Sequence, residues 1–269
     1  MTVAEHKALV VEQKEIVSQF LHRTVVVDFY LPKDTPPEAL NLLLINDGQD
    51  LPKMPFDKML DGLMATEAIE PVLAVGIHCS AERKMEYGTA SMPDFAGRGA
   101  KAGQHLHFVL HELLPFINTT YNLQQFKSKS YAGFSLGGLS ALDAVWHHPE
   151  FFSIAGVFSG SLWWRMKDLE DGYDENIHRI MHHLIRQGEY HPGQRFFFTT
   201  GALDETADRN NNGVIDSIDD TVELITELET KGYKGGGVDI EYLNYEDGKH
   251  DVPTWARAFP KFLVWAFGK

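Results

Sequence analysis

Five short apolar runs recur along the chain, spaced widely enough to hold a helix between most neighbouring pairs. They are "ALNLLLIND" (39–47), "VLAVGIHC" (72–79), "KSYAGF" (129–134), "SIAGVFSG" (153–160) and "RFFFTTG" (195–201). Each run is continuous rather than alternating, the pattern of a strand buried on both faces, as in a parallel sheet covered by helices. Segments 52–69, 101–121, 136–147, 174–188, 217–232 and 252–267 carry helical patterns. Two further stretches, "LHRTVVVDFYLP" (21–32) and "VDIEYLNYEDG" (238–248), alternate, and the first predicts an outer antiparallel strand. Strands alternating with helices predict an α/β chain with a mostly parallel sheet, organised as one domain over 1–269. In such sheets ligands bind beyond the carboxyl ends of the strands, so chemistry is sought in the residues after each run.

Composition narrows the classes. A formal charge of −14 disfavours nucleic acid or an anionic membrane surface as partner. The one cysteine, Cys79, excludes an intramolecular disulfide and multi-cysteine zinc sites, and its apolar run predicts a buried structural thiol. The first 20 residues are charged throughout, without the apolar core of a secretory leader. No stretch reaches the ~18 apolar residues of a membrane span. The chain therefore reads as cytoplasmic. Oligomeric state is not legible.

After "SYAGF" comes Ser135, within Gly133-Phe134-Ser135-Leu136-Gly137, a G-x-S-x-G match at a strand-to-helix turn. The following helix is lined with small residues, and its N-terminus would point backbone N–H groups at a developing oxyanion. Asp204 follows the strand "RFFFTTG", and His250 sits in a turn entering the last helix. Alone, Asp204 is as well explained by a turn, and most of the thirteen histidines lie on helical stretches. Together, Ser135, Asp204 and His250 follow the chain order Ser…Asp…His, each at a predicted strand end, which predicts a nucleophile–acid–base triad.

The motifs "YLP", "LINDGQD", "ERKMEYG", "HELLPFINTTY", "AGFSLGGLSAL", "SGSLWW", "GALDE" and "GKHDVPTWARAFPKFLVW" extend from about residue 20 to the C-terminus. With them the chain resembles the "putative esterase" family of α/β-hydrolases, which includes esterase D-like enzymes, enterochelin esterases and feruloyl esterases. "GFSLGG", "SGSLWW" and "DGQ" are most similar to the enterochelin-esterase side, although the separate N-terminal sandwich of some such enzymes is not evident. The resemblance implies an α/β-hydrolase fold, a small-molecule ester substrate and no cofactor for catalysis. His250 would take the Ser135 proton and Asp204 would fix the imidazole tautomer. The N–H of Leu136 and one from Gln49 or its neighbour would form the oxyanion hole. Arg83, Trp163 and Trp164 become candidate substrate contacts, against the plainer reading of a surface cation and core aromatics.

"DRNNNGVIDSID" (208–219) is a separate signal. It sets Asp208, Asn210, Asn212, the Val214 carbonyl, Asp216 and Asp219 at the ligand positions of an EF-hand-like loop, with Gly213 at the turn. The expectation is a structural Ca²⁺ (or Mg²⁺) that orders the segment carrying Asp204, against a plain loop capping the next helix. The leading function is a serine carboxylesterase working through an acyl-enzyme on a siderophore lactone, acylated sugar or aryl ester. Acyl transfer on the same triad, and a non-catalytic metal-stabilised scaffold, stay open.

Overall fold

The computed structural model describes residues 9–123 and 125–269. Strands β1 (Leu9–Ser18), β2 (Arg23–Pro32), β3 (Asn41–Asn46), β4 (Val72–Ile77), β5 (Lys129–Phe134), β6 (Ile154–Phe158), β7 (Arg195–Leu203) and β8 (Ile240–Lys249) form one sheet. Their order is β1-β2-β4-β3-β5-β6-β7-β8. β2 pairs antiparallel with β1 and β4, and the remaining pairs are parallel. Around the sheet lie helices α1 (Phe56–Ala65), α2 (Arg83–Glu86), α3 (Ala102–Phe108), α4 (Leu114–Tyr121), α5 (Leu136–His147), α6 (Glu175–His178), α7 (Ile180–Gln187), α8 (Asp216–Lys231) and α9 (Val252–Phe267). This is the α/β-hydrolase architecture.

The continuous apolar runs are explained by two cores, one on each face. Leu42 and Leu44 of β3 join a cluster with Leu139 and Leu142 of α5, whereas Leu43 and Ile45 join Leu60 of α1 and Phe259 of α9. Alternate residues of a strand point to opposite faces, so a strand with both faces covered needs apolar side chains at every position. Each of these four side chains, with no exposed surface, contributes about 1.5–3 kcal/mol of transfer free energy. From β3 the chain crosses to β4 on one side, and from β5 it crosses to β6 on the other. The ends of β3 and β5 therefore border the crevice where connections diverge.

Three elements differ from the pattern read in the sequence. β1 lies in the charged N-terminal stretch, and its pairing displaces β2 from the edge it was expected to occupy. The first eight residues of that stretch lie outside the described residues. Its charges suit an edge strand, where they discourage further pairing. The helix expected over 52–69 starts only at Phe56, because Pro52 and Pro55 favour a 3-10 turn (Gly48–Lys53) before it. The helix expected over 174–188 is split at Arg179, whose backbone is extended (φ −73°, ψ 114°). Arg179 is turned inward, 3% exposed, and its guanidinium meets Asp220 at 2.7 Å. Among the described residues no helix is long and apolar enough to cross a membrane.

Asp220 also receives Arg209, so a single buried carboxylate ties the loop after β7 to the α6–α7 turn. That loop carries the residues expected at the ligand positions of a cation site. Asp208 accepts the backbone N–H groups of Asn212 (3.1 Å) and Gly213 (2.9 Å). The amide nitrogens of Asn210 and Asn212 donate to Asp219 at 3.2 and 2.7 Å. Asp216 accepts from the Arg209 N–H at 2.9 Å, and the Val214 N–H is held by Asn212 at 2.8 Å. Asp208, Asn210, Asn212 and Asp219 are thus drawn together by hydrogen bonds within one short loop. Among the described residues no group of three or more His, Cys, Asp or Glu side chains is placed to hold a metal ion. The loop leads into α8.

Two outcomes follow. Asp220→Ala leaves two guanidinium groups facing a buried gap and is expected to cost about 3–5 kcal/mol in chemical denaturation; a loss below about 0.5 kcal/mol, the level of ordinary surface substitutions, would contradict this role. Thermal melting in EDTA and in millimolar calcium tests the cation loop: an ion saturating it at 100 times its Kd would add about 2.7 kcal/mol and raise the Tm, and an equal Tm in both would contradict a bound cation.

Candidate active site

Ser135 stands between β5 and α5 with φ 56° and ψ −121°, a backbone conformation that costs a non-glycine residue about 1–3 kcal/mol. The turn is held by bonds on both sides. The Ser135 N–H donates to the Phe158 carbonyl at 2.9 Å, and its own carbonyl accepts from Gly138, Leu139 and Ser161, each at 3.1 Å. Strand and helix cross so closely here that a Cβ on Gly133 would sit 2.3 Å from the Gly137 carbonyl oxygen. Only glycine fits that crossing, which is why the sequence places one at each side of the serine.

A similar contact brings the other two candidates near each other. A Cβ on Gly201 of β7 would lie 2.4 Å from the carbonyl carbon of Gly248 in β8. Beyond these glycines the two strand ends carry Asp204 and His250. Asp204 folds back so that its Oδ2 accepts the Gly201 N–H at 3.0 Å, while its Oδ1 is buried without a hydrogen-bond partner. His250 packs edge-on against Trp255 (5.4 Å between ring centres). Burial pushes the His250 pKa below its ordinary value of 6.5; Asp204 opposes that shift, Arg83 adds to it, and Asp251 opposes it again.

Ser135, Asp204 and His250 line a single cavity of about 370 Å³. They are not hydrogen-bonded to one another in this structure; Ser135 Oγ lies 3.3 Å from Ser161 Oγ. Catalytic bonds of this kind commonly tighten only when a substrate is present. Leu136, the first residue of α5, lines the same cavity, as do Arg83 and Trp163.

The remaining candidates sit elsewhere. Trp164 is fully buried, pressed against Gly88 and Gly99, where an added Cβ would stand 2.8 Å from its ring. Gln49 does not line the cavity; its carboxamide accepts the Cys79 N–H at 3.1 Å and donates to Cys79 Sγ at 3.2 Å. Cys79 itself is partly buried, its pKa pushed up to about 11, chiefly by burial. Arg83 borders the cavity with its guanidinium already engaged, holding both Asp47 oxygens at 2.7 Å and the Phe134 carbonyl at 3.2 Å. It thereby ties the segment after β3 to the strand end that carries Ser135.

The sequence reading missed several lining residues: Lys84, Arg98, Ser159, Ser161, Glu205 and Ser217. Arg98 stacks over Trp163 at 4.8 Å and is paired with Asp94 at 2.6 Å. Glu205 has its pKa raised, first by burial and then by Asp216, Asp220 and Asp204, while a backbone hydrogen bond from Ser217 opposes the shift. Its position right after Asp204, and that of Ser161 two residues past the end of a "VFS" strand, were the available signals.

Comparison with known proteins places this geometry. The chain is 24% identical over 250 residues to the uncharacterized protein YbbA of Bacillus subtilis, covering 89% of this chain and 91% of that protein. The enterobactin esterase FES of Shigella flexneri superposes with a TM-score of 0.72 at 21% identity, over 95% of this chain. The present chain spans 58% of that enzyme's length. An IroE-like serine hydrolase from Shewanella oneidensis matches with a TM-score of 0.69 at 20% identity, over 96% of this chain and 79% of its own. The siderophore hydrolase EstB of Aspergillus nidulans matches with 0.66 at 17% identity, over 100% and 99%. At these identities the structures establish a shared fold. The model of the family described as "Putative esterase" matches residues 18–266, and the chain belongs to that family.

Proposed function

We propose that the protein is a serine carboxylesterase in which Ser135, His250 and Asp204 act in sequence on a small ester. The observation that carries the reading is the convergence, on one cavity, of a strained serine at a helix N-terminus, a partly buried imidazole and a carboxylate with one unfilled oxygen. A serine hydroxyl at its free pKa is a weak nucleophile and needs a base. His250, kept neutral near pH 7 by burial, is suited to accept that proton as Ser135 Oγ attacks the ester carbonyl. The imidazolium that results is stabilised by Asp204, whose free Oδ1 is available to the ring N–H. The N–H of Leu136 would meet the oxyanion, a donor typically worth about 100- to 1,000-fold in rate. Collapse expels the alcohol, which takes the proton back from His250; water then repeats the steps on the acyl-enzyme.

For the substrate, the structural likeness to enterobactin esterases and a siderophore hydrolase favours a siderophore-type lactone or ester. The cavity's basic residues from the 83–98 segment and the aromatic Trp163 suit a polar aromatic acyl group.

The test is kinetic. Ser135→Ala is expected to abolish ester turnover, and Asp204→Asn to lower kcat by about 10³- to 10⁴-fold by analogy with other triads. In the wild type, kcat/KM requires neutral His250, so it rises with pH through a midpoint below 6.5 and is level above it. Asp204 holds that pKa up, so Asp204→Asn moves the midpoint lower still. An unchanged rate in Asp204→Asn, or a midpoint moved upward, would contradict the assignment.

A further inference from the structure

The loop after β7 brings a second carboxylate into the cavity, one that the proposed triad does not use. Glu205 lines the cavity beside Asp204, together with Ser217 from the first turn of α8. Ser217 is 9% exposed, and its Oγ is buried with no hydrogen-bond partner among the described residues. Glu205 Oε1 is buried and unpartnered in the same way. Capping of α8 accounts for a backbone hydrogen bond from Ser217 to Glu205, but for neither of these two atoms. The basic residues of the cavity do not fill them either: Arg83 is held by Asp47 and Arg98 by Asp94, and Lys84 bonds neither atom. Two unpartnered polar atoms, on residues that are joined by that backbone bond and line one cavity wide enough for a ligand, form a receptor for hydrogen-bonding groups.

Their position also indicates which part of an ester they would meet. The base must reach both the serine and the departing oxygen, so the alcohol leaves beside the imidazole, on the side of the cavity formed by the loops after β7 and β8, while the acid supports the ring from behind. Glu205 is next to that acid in the chain. We propose that Glu205 and Ser217 form a specificity subsite for the leaving alcohol, favouring esters whose alcohol carries a further hydroxyl, as a polyol does. This rests on the serine-esterase reading above. In it, Glu205 Oε1 accepts from the substrate hydroxyl, whose oxygen accepts in turn from Ser217 Oγ–H.

The experiment compares kcat/KM for glycerol monobutyrate, propyl butyrate and butyrylcholine, following butyrate release in the wild type, Ser217→Ala, Glu205→Ala and Ser135→Ala. The wild type is expected to favour the glycerol ester over the propyl ester by about tenfold, the scale of one hydrogen bond. Both subsite variants are expected to reduce that ratio to about twofold or less. Ser217→Ala removes a single hydroxyl and keeps the readout interpretable if Glu205→Ala folds poorly. An unchanged ratio in Ser217→Ala, a wild-type ratio near one, or a preference for butyrylcholine, which has charge but no donor, would overturn the subsite. Turnover of both esters persisting in Ser135→Ala would instead contradict the catalytic reading, so the two failures are distinguishable.

Discussion

The close crossing of Gly133 and Gly137 is the constraint on which the rest of the site depends. Because the backbones meet within the width of one methyl group, the serine between them is forced to φ 56° and presented above the sheet. That conformation is unfavourable by itself and persists because its neighbours over-determine it. The Phe158 carbonyl holds its N–H, three amides share its carbonyl, and α5, buried along its length, cannot shift to relieve the strain. A side chain at Gly133 would set strand and helix apart and let the serine relax into an ordinary turn, and one at Gly137 would strike Asn46 and Asp47 at the end of β3.

A second layer of interactions holds what surrounds the serine. Arg83 links Asp47, after β3, to the carbonyl of Phe134, so the two strand ends bordering the crevice are fastened by one bidentate ion pair. The Gly201–Gly248 contact sets the distance between the acid and base loops, and the Arg179–Asp220–Arg209 cluster secures the segment that leaves Asp204. The loop expected to hold a cation is tied down by these guanidinium groups and by bonds from its own asparagines.

Much of this was legible in the sequence, for identifiable reasons. Strands buried on both faces write themselves as unbroken apolar runs, so β3 to β7 could be read directly, and the glycines around Ser135 marked the sharp turn. β1 was hidden because an edge strand with exposed charges looks like any polar segment. The split at Arg179 was hidden because a buried ion pair with Asp220 joins residues 41 positions apart, which no local pattern encodes. Trp163 and Trp164 are adjacent in the chain yet one faces the cavity and the other the core, a difference set by Gly88 and Gly99 packing on the second ring. The 208–219 loop was legible as a calcium-site spacing, whereas the bonds that its side chains accept from its own amides were not, because spacing does not reveal where oxygens point. Glu205 was marked only by its place after Asp204 and Ser217 not at all, since what singles them out is one polar atom on each, Oε1 and Oγ, without a partner.

The most direct test of an activated serine in this cavity is intact-mass spectrometry after incubation with a fluorophosphonate, with Ser135→Ala in parallel. The account predicts one covalent adduct on the wild type and none on the variant. An unlabelled wild type, or an adduct that survives in Ser135→Ala, would contradict it.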